Sequence, residues 1–286
     1  MLLYHVDHPG STESTEAGTT AKIRAVMIQI DLTGKRALIM GVTNTRSLGW
    51  GIATKLSDAG AQVAFSYQGD RLRSTLEKMT RDMDAPLYQV DVTRPEELRT
   101  LFDSLKESWG GLDYIVHSIA YAPREAMEGR YIETSRDDWL LALEVSAYSL
   151  VAITQAAEPL LREGASIVTL SFYAAEKVVP KYNVMGIAKS ALEASVRYLA
   201  YDLGKKGQRI NAISAGPVKT VAARSIPGFS QMLQHFCEVA PLGQPVTPED
   251  VGNLGLFLLS PLSGTITGET IYLDSGFNIM GMALDA

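Results

Sequence analysis

Arg36-Ala-Leu-Ile-Met-Gly41-Val-Thr-Asn-Thr-Arg-Ser47-Leu48-Gly49-Trp-Gly51-Ile-Ala53 reads as a short apolar strand, a glycine-bearing turn and the start of a helix. A dinucleotide pyrophosphate needs such a turn. Glycine lets the backbone approach the phosphates, and the free N–H groups at the helix start meet their negative charge. The spacing is not a strict G-x-G-x-x-G, so an ordinary glycine-bearing strand-to-helix turn also satisfies it. Ser47 would add a hydroxyl donor.

From residue 36 onward, short apolar runs alternate with longer helical stretches, the pattern of βαβ units and a parallel sheet. Strands are expected at Arg36–Val42, Gln62–Tyr67, Leu87–Val92, Tyr114–Ile119, Ser166–Phe172, Arg209–Ser214 and Thr270–Leu273. Helices are expected near 50–59, 71–82, 95–108, 137–162, 183–203 and 249–259. With right-handed crossovers these elements give an α/β protein, a single-domain Rossmann fold whose doubly wound seven-stranded parallel sheet carries helices on both faces. A chain of 286 residues, 46% hydrophobic, is long enough for one such domain.

Residues 1–26 are rich in Ser, Thr, Gly and Glu and hold no sustained apolar period, so a disordered tail is expected before a domain spanning 27–286. Met27, just before the compact opening MIQIDLTGKRALIMG, and Met1 both remain open as starts. No uninterrupted apolar run approaches the roughly 18 residues of a bilayer span, and no signal peptide is legible, so a cytoplasmic protein without a membrane partner is expected. A net charge of −6 with no basic cluster argues against a nucleic-acid partner. The single Cys237 has no metal-like surroundings, and no metal is expected.

The second strand ends at Tyr67-Gln68-Gly69-Asp70-Arg71. A 2′-phosphate on the adenosine ribose would want a basic side chain there, and the sequence offers Gln68 first and then a repelling Asp70, which favours NADH over NADPH. Asp91-Val92 and Ser118-Ile119-Ala120 close the third and fourth strands on the carboxyl edge, where ligands of open parallel sheets bind; each is equally legible as a plain turn.

The most informative stretch is Ser171-Phe172-Tyr173-Ala-Ala-Glu176-Lys177-Val-Val-Pro180-Lys181-Tyr182-Asn183-Val184-Met185-Gly-Ile-Ala-Lys189. Tyr182 and Lys189 stand seven residues apart, two helical turns or roughly 10.5 Å along one face, so both can point into one cleft. Taken alone, such a pair is more often a half-buried ring and a solvated amine. Its surroundings change that reading. GVTNTRSLGWGIA, HSIAYAP at 117–123, YNVMGIAKSALEASVRYLA at 182–200, NAISAGPVKT at 211–220, TPEDVGNLGLFL at 247–258 and GETIYLDSGFNIMG at 268–281 together resemble the divergent short-chain dehydrogenases of the enoyl-acyl-carrier-protein reductase branch, from about Ile28 to Ala283. That branch carries Tyr-x6-Lys in place of the Tyr-x3-Lys of ordinary relatives. Ser146, where ordinary members usually carry Asn, also fits it.

The resemblance implies reduction of the C2=C3 double bond of trans-2-enoyl thioesters with NADH, the last reductive step of fatty acid elongation. Hydride then lands on C3, two atoms from the carbonyl, so the acid must sit farther from the nicotinamide. It implies that Tyr182 hydrogen-bonds the thioester oxygen and that Lys189 holds the nicotinamide ribose. It places Gly41, Ser47, Leu48, Gln68, Asp91, Val92, Ile119, Lys189 and Val218-Lys219-Thr220-Val221-Ala222 against NADH. Tyr121, Ala122, Tyr182, Met185, Ala222, Ile226 and Phe229 would line the acyl pocket, and 218–240 would form a lid interrupted by Pro227-Gly228. Acyl carrier protein as partner and a homotetramer are implied as well, the apolar run Phe277–Leu284 being suited to burial between subunits.

Two departures matter. Phe172 stands where many relatives have a second Tyr, and the lid has no basic residue after Arg224 to steer an acidic carrier protein. The alternative within enzymes is a divergent reductase acting on enoyl-CoA or a related conjugated carbonyl. A nucleotide-sensing module without catalysis is disfavoured because both Tyr182 and Lys189 are retained.

Overall fold

The structure, a computed structural model, describes residues 30–221, 223 and 228–282. The expected tail over 1–26, and Met27, lie outside them. Strands β1 (Arg36–Met40), β2 (Gln62–Tyr67), β3 (Leu87–Gln89), β4 (Leu112–His117), β5 (Leu161–Ser171), β6 (Arg209–Ala215) and β7 (Thr270–Leu273) form one sheet in the order β3-β2-β1-β4-β5-β6-β7. Every pairing is parallel. The chain runs outward from β1 to β3 and then returns to lay β4 on the other side of β1. That reversal opens a crevice at the carboxyl ends of β1 and β4.

The helices are α1 (Leu48–Asp58), α2 (Asp70–Met79), α3 (Pro95–Trp109), α4 (Arg124–Met127), α5 (Arg136–Leu143), α6 (Ser149–Ala157), α7 (Asn183–Gly204), α8 (Phe229–Val239) and α9 (Pro248–Leu259). Strand periodicity divides β1 between two cores. Ala37 and Ile39 face Ile52 and Leu56 of α1, Leu76 of α2 and Val251 and Leu258 of α9. Leu38 and Met40 face Leu101 of α3, Ile153 of α6 and Leu192 and Val196 of α7. With both faces covered, β1 reads as an unbroken apolar run, as a central parallel strand must.

Several boundaries differ from expectation for identifiable reasons. β1 stops at Met40 because Gly41 turns the chain with a φ of 89°. β5 starts at Leu161 rather than Ser166, since Leu161 already pairs with Leu112 before a register shift ahead of Tyr114. The single helix expected at 137–162 is divided: a π-helical turn, Glu144–Tyr148, separates α5 from α6. Arg136–Leu160 is long and apolar enough to cross a bilayer, with an 18-residue stretch of mean hydropathy 1.5, although polar residues interrupt every apolar run in it. Here its Leu150, Ile153 and Ala157 are fully buried against the sheet.

Helices α1 and α9 touch backbone to backbone. A Cβ on Gly51 would lie 2.0 Å from the Pro248 carbonyl oxygen, and one on Gly252 would lie 2.3 Å from that of Gly51. Across the sheet, His117 ties three elements together. Its Nδ1 lies 2.8 Å from Thr169 Oγ1 of β5 and its Nε2 2.9 Å from Ser149 Oγ of α6. Ser149 donates its own proton to Val145 O, within the π-helical turn. Nε2 therefore donates to Ser149, and in the neutral ring that burial imposes Nδ1 accepts from Thr169 Oγ1, which also lies 3.3 Å from His117 O. Burial, reinforced by the charge of Lys189, pushes the His117 pKa down to about 3.

Gly51→Ala is expected to destabilise the protein by about 3 kcal/mol or more, a fall in Tm of roughly 6–12 °C, because neither backbone can retreat without lifting a helix from the sheet. A melting temperature within a degree or two of wild type would show that this contact yields easily. For His117, the unfolded chain binds an extra proton between pH 6.5 and about 3. Stability should accordingly fall as pH drops through that window, by up to about 1.4 kcal/mol per unit from this residue. His117→Gln keeps a donor and an acceptor; its denaturant-unfolding free energy should vary less steeply between pH 7 and 5, and an equal slope would count against the assignment.

Candidate active site

Each sequence-predicted site residue among the described ones falls on the carboxyl edge of the sheet or on a segment leaving it. At the end of β1, Gly41 lies so close to β4 that a Cβ would come within 2.2 Å of Ser118 O. Only glycine permits that approach together with its positive φ. Ser47 is the N-cap of α1 but does not cap it with its side chain. Its Oγ instead accepts hydrogen bonds from the N–H groups of Thr43 (3.1 Å) and Asn44 (3.2 Å), shaping the loop. The hydroxyl thus shapes the loop as an acceptor while its own proton stays available as a donor, and the uncapped end of α1 adds anion-attracting character. A glycine cradle beside a helix N-terminus fits a dinucleotide.

Two other predicted cofactor residues meet directly. Gln68 Nε2, after β2, donates to Asp91 Oδ2, after β3, at 3.0 Å. Burial pushes the Asp91 carboxyl up, but hydrogen bonds from Thr93 N, Thr93 Oγ1 and Gln68, with the charge of Arg94, outweigh it and hold the group below its ordinary value. Leu48 packs at the edge of one core, and Val92 and Ile119 at the edge of the other. Beyond β6, Val218 is buried while Lys219 and Val221 are exposed, and Thr220 N donates to Val218 O at 2.7 Å. Ala222 and Ile226 lie outside the described residues, as does part of the expected lid; its remaining portion includes α8.

Tyr182 is not within the helix. It is the N-cap of α7, flanked by Lys181 and Asn183 with φ of 65° and 33°. Asn183 is suited to that backbone, and its Nδ2 reaches Met127 O and Gly129 O at 3.3 and 3.4 Å. The two-turn spacing on one helical face is therefore corrected: Lys189 lies on α7, and Tyr182 is held at its entrance. The Tyr182 ring packs 4.9 Å from that of Phe172 and clusters with Met127, Ala174, Met185 and Ala122. Burial pushes its pKa well above the ordinary phenol value, so it stays a protonated donor. Lys189 is 5% exposed and donates to Leu170 O at 2.6 Å. Burial lowers its pKa to about 8, against the opposing charge of Glu193.

The predicted acyl residues Ala122, Tyr182 and Met185 thus come together. Tyr121 joins them through Ser146, whose Oγ accepts from Tyr121 N (2.8 Å), donates to Tyr121 O (2.9 Å) and lies 3.7 Å from Met185 Sδ. Ser146 sits in the π-helical turn, a distortion found mostly at functional sites. Its position was noted in the sequence; its grip on the Tyr121 backbone was not. Phe172 also lines a cavity of about 430 Å³ with Met232 and Phe236 of α8, within the range of small-molecule sites. Among the described residues, none of the predicted acyl set lines that cavity, and Phe229 of α8 is not brought to the Tyr182 cluster. Met232, absent from the sequence reading, carries no signal beyond its place in a helix.

Comparison with known proteins agrees with this geometry. Residues 41–278 match the family described as enoyl-(acyl carrier protein) reductase. The NADH-dependent enoyl-[acyl-carrier-protein] reductase of Aquifex aeolicus is 52% identical over 254 residues, covering 88% of this chain and 94% of that one. The crystal structure of the Anaplasma phagocytophilum enoyl reductase in complex with NAD is 41% identical, with a TM-score of 0.85 over 91% of this chain and 98% of that one. That of the Bacillus cereus enzyme with NADP+ and an indole naphthyridinone is 43% identical, with a TM-score of 0.87 over 89% and 100%. On sequence and fold alike, the chain belongs to the enoyl-acyl-carrier-protein reductase family of the short-chain dehydrogenase type.

Proposed function

We propose that this protein reduces the C2=C3 double bond of trans-2-enoyl thioesters on acyl carrier protein with NADH, the last reductive step of fatty acid elongation. The observation that carries this reading is the pair of Tyr182, protonated in an apolar cluster, and Lys189, buried on the helix that Tyr182 opens. The relatives named above support it at 41–52% identity. Gly41, the α1 N-terminus with Ser47 and Leu48, Gln68, Asp91, Val92, Ile119, Lys189 and Val218–Val221 are assigned to hold the dinucleotide. An ionised Asp91 beside Gln68 repels a 2′-phosphate, which favours NADH.

When bound, NADH supplies hydride to C3 of the acyl chain. As the C2=C3 electron pair moves toward the thioester, Tyr182 donates a hydrogen bond to the oxygen on which negative charge develops. Phe172, Met127 and Met185 keep water from this donor, which strengthens the bond. Lys189 orients the cofactor through its ribose hydroxyls and adds positive charge near the developing anion. A proton delivered to C2 from Tyr182, or through it by a water relay, completes the saturated product. Tyr121, Ala122 and Met185 are assigned to the acyl chain.

A homotetramer is also proposed. Phe277 packs inward against Phe236 at 5.2 Å, whereas Ile279 and Met282 are 73% and 75% exposed, an apolar strip suited to cover by another subunit. Light scattering should return four times the 31.0 kDa chain mass; a monomer mass would refute the assembly.

Tyr182→Phe should lower kcat on a crotonyl thioester by about 10²–10³-fold with little change in NADH affinity, as for loss of one oxyanion donor. Lys189→Ala should weaken NADH binding as well, read by fluorescence titration. Full turnover in Tyr182→Phe, or loss of NADH binding there, would overturn the assigned roles. Running the assay with the acyl group on carrier protein and on CoA decides the carrier, a question kept open by an α8 without Lys or Arg.

A further inference from the structure

Lys189 is not alone on its face of α7. Glu193, one turn later, is 7% exposed, and the two side chains take hold of consecutive residues at the carboxyl end of β5. Lys189 Nζ donates to Leu170 O, and Ser171 Oγ donates to Glu193 Oε1 in a short bond. The next residue is Phe172, whose ring packs on Tyr182. A carboxylate at i+4 from a buried ammonium, bonded to the strand that receives the ammonium, can fix both the charge and the position of that ammonium.

We propose that Glu193 is a positioning residue for cofactor binding: bonded to Ser171, it braces the carboxyl end of β5, where the Leu170 carbonyl receives Lys189, and it sets a negative charge one helical turn from that ammonium where the nicotinamide ribose docks. Burying an unpaired ammonium costs several kcal/mol, which normally neutralises the group instead. The surroundings assign the compensation to Glu193. From β5, Lys189 Nζ has the Leu170 carbonyl as its hydrogen-bond partner, and on β4 the buried His117, whose protonation is opposed by the charge of Lys189, is neutral. Around Glu193 stand Arg197 on its own helix, Glu176 after β5, and Tyr272 on β7, whose hydroxyl bonds Glu176. Burial, with the charge of Glu176, holds the Glu193 pKa above its ordinary value, against the opposing pull of the Ser171 bond, Arg197 and Lys189. The carboxylate and the ammonium each oppose the neutralisation that burial favours in the other.

The inference rests on the assignment of Lys189 to the cofactor ribose. Its test is the pH dependence of NADH affinity, measured by fluorescence titration from pH 6.5 to 9.5. In the wild type, Kd should rise as Lys189 loses its proton near pH 8. In Glu193→Gln, which keeps shape and an acceptor for Ser171, the rise should begin about one pH unit lower, the low end of the shift from a neighbouring opposite charge. Glu193→Asp, which keeps the charge, should restore the wild-type midpoint. Ser171→Ala keeps both charges and removes the tether, so Kd should rise about 2–10-fold at every pH with no change of midpoint. This variant keeps the proposal falsifiable if Glu193→Gln does not fold. A Glu193→Gln profile superimposed on wild type, an Asp variant displaced as far as the Gln variant, or an unchanged Kd in Ser171→Ala would each overturn it. Lys189→Ala separates the two readings. A weak, pH-independent Kd there places any such failure on Glu193 alone, whereas wild-type affinity would overturn the ribose assignment and this inference with it.

Discussion

An ammonium buried at the end of a parallel strand is the constraint around which the site is built. Water would solvate Lys189 far better than the protein interior does, so each neighbour must offer something in exchange. Leu170 gives a carbonyl, Glu193 a negative charge, and His117 remains neutral, because a second cation beneath the first would be expelled. Burial holds His117 neutral, and Thr169 and Ser149 meet both of its nitrogens, so the ring is buried with no unpaired polar atom. The Ser149 hydroxyl then reaches back to Val145 in the π-helical turn, where Ser146 fixes the backbone of Tyr121. The charge on one lysine is thus linked to the shape of a helix on the neighbouring strand's crossover and to the wall of the acyl site.

The same low dielectric acts oppositely on the two assigned catalytic groups. Burial disfavours the tyrosinate and so keeps Tyr182 a donor, which is the state required to meet an oxygen gaining negative charge. Burial disfavours the ammonium as well, and here the effect must be resisted. Apolar neighbours such as Phe172, Met127 and Met185 suffice for the first task. The second needs polar partners, and these lie on the side of α7 that faces β5. One helix and its entrance therefore present a dry environment at Tyr182 and a compensated polar one at Lys189.

Much of this was legible in the sequence because the relevant forces are local or periodic. Apolar runs separated by helical stretches give the strand number and the parallel sheet, and Gly41 through Gly51 give the cofactor turn, since only small residues allow the approaches seen at Ser118 and Pro248. Gln68 and Asp91 were each legible at a strand end, but not their contact, which depends on two strands lying side by side. The Phe172–Met232 cavity depends on where α8 settles, which no local pattern specifies. The π-helical turn escapes for a similar reason: residues 137–162 have an ordinary helical pattern, and the extra residue is accommodated through tertiary bonds to Ser146 and Ser149.

The placement of Tyr182 shows how a correct pair of residues can be reached through an incomplete geometry. Seven residues on a continuous helix would fix the separation of Tyr182 and Lys189 by helical rise alone. The tyrosine instead precedes the helix, between two residues of left-handed backbone, with Asn183 bonded to Met127 and Gly129 beside the short helix α4. Its position is consequently set by the loop after β5 and by α4, independently of the register that sets Lys189. Such a tyrosine can be moved relative to the cofactor by changing the loop while the lysine stays on its strand. A reaction that delivers hydride two atoms away from the polarised carbonyl carbon needs that freedom, because its donor and its cofactor anchor must be spaced to fit the acyl chain and not the turn of a helix.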